Sequence, residues 1–348
     1  MTVYVPILKG LLPGFQALRN ADRMDKRCIR PLIEAVPQDE NEKPEMIADR
    51  LARQVKDAEL NALDDIAIDT GRIADQFGRR AAQRILRKLG DQLGEVCRFR
   101  PVLHVTDNPD DELDGVRHVA ATHHMGVCLR VDPPYARTLS DSRMLLEQLE
   151  SVGQPVERAD VVIDCGFIES VPHLLDGISG PLRHLAKLDW RSVTIAAGSF
   201  PPPAFIDGLP TATVTSVPRL EVPLWTQVRQ RWPRANYGDY TIENPGPPSH
   251  RLRGTPALHY TAARSWVLYR RPKGTRGRDS VFRDICQCVV RSSYWRSYGP
   301  GFSWGDHCIA TLACHDASPG QARQWRAYAI SHHLAVIAAD LQSQARPD

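Results

Sequence analysis

Along the first 245 residues, apolar runs of strand length recur, and each stops on a polar residue. They end at Lys9 (YVPILK), Glu34 (CIRPLIE), Asp69 (DIAID), His104 (RPVLH), Arg130 (GVCLR), Asp164 (DVVID), Ser199 (VTIAAGS) and Asp239 (NYGD). Strands covered by helices on both faces read as continuous apolar stretches, not as alternating ones. Helical segments lie between them. PEMIADRLARQVKDAEL carries Met46, Ile47, Leu51, Val55 and Ala58 at helical spacing behind a first-turn Pro44, and a basic amphipathic stretch spans 77–93. Further helices are predicted at 111–124, 140–152 and 178–188. Successive strands are spaced by about 30 residues, the size of a βα unit. Eight such units predict an α/β protein of the (β/α)8, TIM-like type, whose functional residues sit at the C-terminal ends of the strands.

After the seventh strand the regularity breaks at Ser199-Phe200-Pro201-Pro202-Pro203, which continues neither strand nor helix. A helix is predicted at 219–232, then the eighth strand in ANYGDYTI. The Pro/Gly-rich ENPGPPS leads into a β-hairpin with arms ALHYTAA and SWVLYRR, a helix near 279–297, FSWGDHCIATLA, and a long helix over 319–342. Residues 249–348 could form a small second domain. We prefer one barrel spanning 1–348, in which 243–317 is an insertion after strand 8 and 319–342 is the closing helix, because strand 8 otherwise lacks a cover.

Charge sharpens this picture. Residues 249–300 hold eleven Lys/Arg against two acids, whereas the whole chain has a surplus of only three positive charges. A basic insertion would emerge over a mouth that is mostly acidic, as a cationic lid suited to a phosphate-bearing ligand or a nucleic acid. A solvated surface hairpin is the plainer alternative. The eight cysteines are scattered, several inside apolar runs, which fits reduced cysteines of a cytoplasmic protein better than a disulfide framework. No apolar run reaches the length of a membrane span, and MTVYVPILKG lacks the pattern of a secretory leader, so no membrane partner is expected.

The candidate catalytic residues are Lys9, Glu34, Asp69, Asp164 and Asp239. Carboxylates beside a lysine tune one another's acidity, serve acid/base work or bind a divalent cation. One polar strand end merely meets water, but five chargeable ends of mixed sign favour a site. Arg130 and Asp132 add a guanidinium for phosphate or carboxylate, with an internal ion pair as the alternative. His104 could be a base, although a lone histidine there is more often structural. Ser199 lacks a nucleophile elbow. Tyr260, Arg270, Arg271, Trp304 and Asp306 are candidate ligand contacts from the insertion, where aromatic and cationic side chains interleave. His332 and His333 are adjacent on a helix and cannot face one way, and no metal, Walker or dinucleotide motif occurs.

YVPILKG followed by a helix with QAL, RPLIE, AIDTG, VVIDCG, GDY before the hairpin, FSWGD and the closing WRAYAISHHL occur in order over essentially the whole chain. In these pieces the sequence resembles the "beta protein" family, known from phages and bacteria. Gln16 departs from the acid that the family usually has in the first helix. The resemblance implies the fold rather than a reaction, and an association with phage-related loci. The expected function is thus a barrel enzyme acting on a phosphate-bearing ligand at its mouth, possible settings including phage–host conflict and antiviral defense. The rival is a non-catalytic protein that binds DNA or a protein partner through the basic insertion. A glycoside hydrolase would need two carboxylates at roughly 5–10 Å.

Overall fold

The computed structural model describes residues 2–63, 65–94, 96–105, 113–137, 139, 141–246, 256–272, 278–314, 318 and 320–345. Eleven strands are present among them: β1 Tyr4–Lys9, β2 Leu32–Glu34, β3 Ala67–Asp69, β4 Arg100–His104, β5 Val127–Val131, β6 Ala159–Phe167, β7 Ser192–Gly198, β8 Val214–Pro218, β9 Asn236–Asp239, β10 Ala257–Thr261 and β11 Ser265–Arg270. Strands β1 to β7 and β9 are parallel and close into a barrel, β9 pairing with β1 through Tyr4 and Tyr237, Val5 and Gly238, and Pro6 and Asp239. Helices alternate with these strands, so the fold is a (β/α)8 TIM barrel.

Side chains in each strand alternate between two apolar layers. Val5, Ile7, Leu32, Val102, Cys128, Val162, Ala196 and Tyr240 pack inside the barrel. Tyr4, Leu8, Ile33, Ile68, Leu129, Ile163, Ile195 and Tyr237 face outward into the layer shared with the helices. Because both faces are covered, the strands read as unbroken apolar runs. Strand β2 is shorter than the predicted 28–34 because Pro31 has no N–H to give a ladder. Its carbonyl still accepts from Ala67 N, and Ile29 keeps only a single bridge to Tyr4. In the helix Pro44–Asp57, Ile47, Leu51 and Val55 are buried, while Met46 faces solvent.

The tail departs from the sequence reading at three points. Residues 214–218 form strand β8, which precedes the helix Glu221–Arg231 and adds antiparallel to β11, making a three-stranded sheet of order β10-β11-β8. The helix predicted at 279–297 is two, Arg278–Arg291 and Ser293–Arg296, separated where the Ser292 side chain caps the second by accepting from Trp295 N. FSWGDHCIATLA, for which the pattern predicts no element, holds the helix Trp304–Cys314. The small sheet is fastened by aromatic contacts, Trp266 lying 5.3 Å from Phe200 and stacked at 5.3 Å on His333. The long helix Ala322–Ala345 packs against the helix Leu12–Arg19 and against β10. Among the described residues, no helix is long and apolar enough to cross a membrane.

Gly126, immediately before β5, has φ +82°, and a Cβ there would overlap the Arg158 carbonyl that leads into β6. Gly126→Ala should therefore lower stability by about 2–4 kcal/mol through left-handed strain and the clash. Urea unfolding would register this as a fall in midpoint at unchanged slope.

Candidate functional site

Parallel register lines up the ends of the first strands, Lys9 beside Glu34 and Glu34 beside Asp69, and sets His104 beside Arg130. By the alternation that puts Ile7, Leu32, Val102 and Cys128 inside, all five are inward positions, so five neighbouring strands deliver ionisable side chains into the barrel's C-terminal mouth. Asp164 comes from β6 on the other side.

Arg130 occupies the centre of this cluster. Its Nη1 donates to Glu34 Oε1 at 2.9 Å and to Asp69 Oδ2 at 2.6 Å, while Nε and Nη2 donate to Asp164 Oδ2 at 3.0 and 2.7 Å. Nη2 also reaches the Tyr240 hydroxyl at 3.1 Å, and that hydroxyl donates to Asp164. The guanidinium and its three carboxylates are all buried. Burial disfavours the charge on Arg130, but Asp164, Glu34 and Asp69 outweigh it and hold the group protonated. The Arg130 internal ion pair, weighed above as the alternative, is what the structure contains, and it leaves no guanidinium face free for a ligand.

His104 bridges the buried and the exposed parts of the mouth. Its Nε2 lies 2.8 Å from Asp69 Oδ1 and its Nδ1 2.8 Å from Asp132 Oδ2. Burial favours the neutral ring, yet the two carboxylates push its pKa up to about 10, so both ring nitrogens carry protons at neutral pH and donate. Asp69 is also buried, which opposes its ionisation. His104, Arg130 and the Gly71 N–H nevertheless hold it well below the usual carboxylate range. A Cβ on Gly71 would collide with the His104 ring, so the glycine of AIDTG keeps the space that this imidazole fills. Asp132 is 32% exposed and is the accessible carboxylate of the cluster.

The segment after β9 crosses the rim of this mouth. Glu243 pairs with Lys9 at 3.0 Å and with Arg326 of the last helix at 3.5 Å. Those two cations outweigh its burial and hold its carboxyl below the ordinary value. Arg72 Nη2 donates to the Pro245 carbonyl at 2.9 Å and its Nε lies 3.9 Å from Glu34. A cavity of about 10 Å³ lies beside Lys9, Glu243 and Arg326.

The mouth thus gathers Lys9, Glu34, Asp69, Asp164, Arg130 and Asp132, but not Asp239. Asp239 alternates with Gly238 and Tyr240, so it faces outward and Tyr240 takes the inward position. There it accepts from Tyr4 Oη at 2.6 Å, Tyr237 Oη at 2.9 Å and Thr241 N at 2.9 Å, and meets His333 Nε2 at 2.9 Å. Burial lowers the His333 pKa, so the neutral ring donates to Asp239 and accepts from the Thr261 hydroxyl at 3.0 Å.

The insertion candidates make their contacts outside this cluster. Asp306 sits in the first turn of its helix, fully buried, accepting from Tyr260 Oη at 3.0 Å and facing His332 Nδ1 at 2.8 Å. Trp304 packs edge-on to Tyr328. Arg270 is buried with Nη1 on the Leu209 carbonyl, and Arg271 reaches Cys288 Sγ. Neither forms a cationic cover; Lys273 and Arg276, also expected in the lid, lie outside the described residues. Ser199 donates to Glu221 and accepts from Trp266 Nε1, as a structural serine does. His104, weighed above as more often structural, joins the site, as do Arg72, Tyr240, Glu243 and Arg326, which lie beyond the sequence-derived set. Of these, inward parity could have found Tyr240. Asp69 and Asp164 spend both oxygens on internal donors. Among the described residues, no group of three or more His, Cys, Asp and Glu has the geometry of a metal site.

Comparison with known proteins adds a family. The family model described as Beta protein matches residues 4–339. Comparison with curated proteins finds no relative of the sequence. Among solved structures, Yersinia pestis DHPS with a pterine-sulfa conjugate aligns at 15% identity and TM-score 0.41, covering 69% of this chain and 87% of that one. The Bacillus cereus spore cortex-lytic enzyme SleL aligns at 9% identity and TM-score 0.31, covering 70% and 72%.

Two outcomes test the network. Arg130→Met strands three buried carboxylates and should cost roughly 3–5 kcal/mol, less at pH 5 than at pH 7.5 because the carboxylates can then take up protons; urea titrations at both pH values would show it. His104 has a raised pKa, so its stabilisation is complete below the unfolded value of about 6.5 and is lost as pH rises through about 10. The stability gap between the parent and His104→Gln should therefore be widest near pH 6 and narrow towards pH 10.

Proposed function

We propose that this chain, which belongs to the Beta protein family, is a barrel enzyme that takes a small phosphate-bearing ligand, a nucleotide or a nucleic-acid end, at the C-terminal mouth. The observation that carries the reading is the His104 imidazolium. It stands at the boundary between a buried carboxylate–guanidinium floor and a rim bearing Lys9, Arg72 and Arg326. In a mouth counted by sequence as acidic, this cation and Arg130 offset the carboxylates, so a phosphate meets less repulsion than the strand ends alone imply.

In this reading Lys9 and Arg72 contact the phosphate. Asp132 is the acid/base group, because it is the accessible carboxylate and His104 orients it by a hydrogen bond. Glu34, Asp69 and Asp164 fix Arg130, which acts as a positioning residue. Residues 243–317 serve as an insertion into a single barrel unit, closed by the helix over 319–342. Eight unpaired cysteines, five of them buried, support a cytoplasmic location. Phage–host conflict is a setting suggested by the family alone. The rival, polyanion binding by the hairpin, loses support because Arg270 and Arg271 are engaged internally.

Thermal-shift and calorimetric titration with ATP, GTP, pyrophosphate and a short single-stranded oligonucleotide test this assignment. At least one probe should bind, and Lys9→Ala and Arg72→Ala should each weaken it by about tenfold, as expected for one charge-assisted contact. Arg271→Ala should leave it unchanged. Binding by none of the probes, or binding lost in Arg271→Ala and kept in the other two, would overturn the proposal.

A further inference from the structure

At the opposite, N-terminal end of the barrel a second charged cluster closes the floor. Asp65 accepts from Arg100 Nη2 at 3.1 Å and from Arg191 Nη1 at 2.6 Å. Asp160 lies 3.1 Å from Arg100 Nε, pairs with Arg191 Nη2 and accepts from Ser192 Oγ at 2.6 Å. A cavity of about 30 Å³ lies against these groups, with Arg30 and Asn236 on its wall and the apolar barrel interior behind it. Arg100 is 5% exposed, and its Nη1 is buried with no hydrogen-bond partner, as is Nε of Arg191.

A buried guanidinium N–H without an acceptor costs a large part of its hydration, so the cavity calls for an occupant. Water is the common occupant of such spaces, but a water that accepts from Arg100 must place its own two protons. Of the nearby acceptors, Asp65 Oδ2 and Asp160 Oδ1 already hold guanidinium or hydroxyl donors, and Asn236 Oδ1 accepts from Val3 N at 3.0 Å. Three arginines and two acids line the cavity, so positive charge is in excess. That combination selects an acceptor with no protons. We infer that the floor of the barrel holds a small inorganic anion of chloride size, bound by Arg100 Nη1 within the Arg30–Arg100–Arg191 cage. The site is separate from the mouth and independent of the function proposed there. Its ligand ties the starts of β2, β3, β4 and β7 together.

Crystals grown in sodium bromide, with diffraction data collected at the bromine edge, test this directly. An anomalous peak within hydrogen-bonding distance of Arg100 Nη1 is expected. Density there without a bromine signal means water and overturns the inference. In solution, the full chain should show a saturable rise in Tm with sodium chloride that is absent in sodium methanesulfonate of equal ionic strength, since that anion is too large for the cavity. Arg100→Met should abolish the difference between the two salts. Identical Tm curves for the parent protein in both salts would overturn the inference even if the variant does not fold.

Discussion

One guanidinium organises the upper half of this barrel. Arg130 on β5 is bonded to Glu34 on β2, Asp69 on β3, Asp164 on β6 and Tyr240 just after β9, so a single side chain joins four strands to its own across the barrel's width. Taking these charges out of water is expensive, and only complete pairing makes it tolerable. Every N–H of the group has an acceptor, which is why the cluster persists inside a protein. Between this cluster and the charged floor, apolar packing fills the interior without direction. The Arg130 cluster adds direction, because it is satisfied only when each strand stands at one register.

From that centre the charges step outward in alternating sign. Asp69 is shared by Arg130 and His104, His104 is shared by Asp69 and Asp132, and Glu34 is approached from above by Arg72. Each buried carboxylate is faced by a cation, and each cation is anchored by a carboxylate behind it. Perturbing one member therefore changes the ionisation of its neighbours. The exposed end of the chain, at Asp132, inherits its orientation from groups it never touches.

Much of this was legible in the residues themselves. The apolar runs ending on Lys9, Glu34, Asp69, Arg130 and Asp164 identify strands and their mouth ends, because burial on both faces demands such runs. Direction is harder to read. Asp239 ends its strand as the others do but faces the helices, and only counting parity back to the inward Gly238 and Tyr240 separates it from Glu34. Strand β8 gives no signal in sequence because its side chains are half-exposed or exposed, so TVTSVP carries no apolar run. Arg270 read as a surface cation, whereas tertiary packing buries it on the Leu209 carbonyl. His104 has no distinguishing neighbours in sequence, and its two carboxylates lie 35 and 28 residues away.

The outward turn of Asp239 has a consequence in time. Its imidazole partner is 94 residues further along the chain, which at ordinary elongation rates is roughly 5–20 s of synthesis. Through that interval the carboxylate has Tyr4 and Tyr237 as donors but lacks the ring that completes its burial, and the helix carrying His333 is not there to exclude water. Strand β9 is what covers the edges of β1 and β7, and a β-sheet edge left unpaired is where one chain can pair with another.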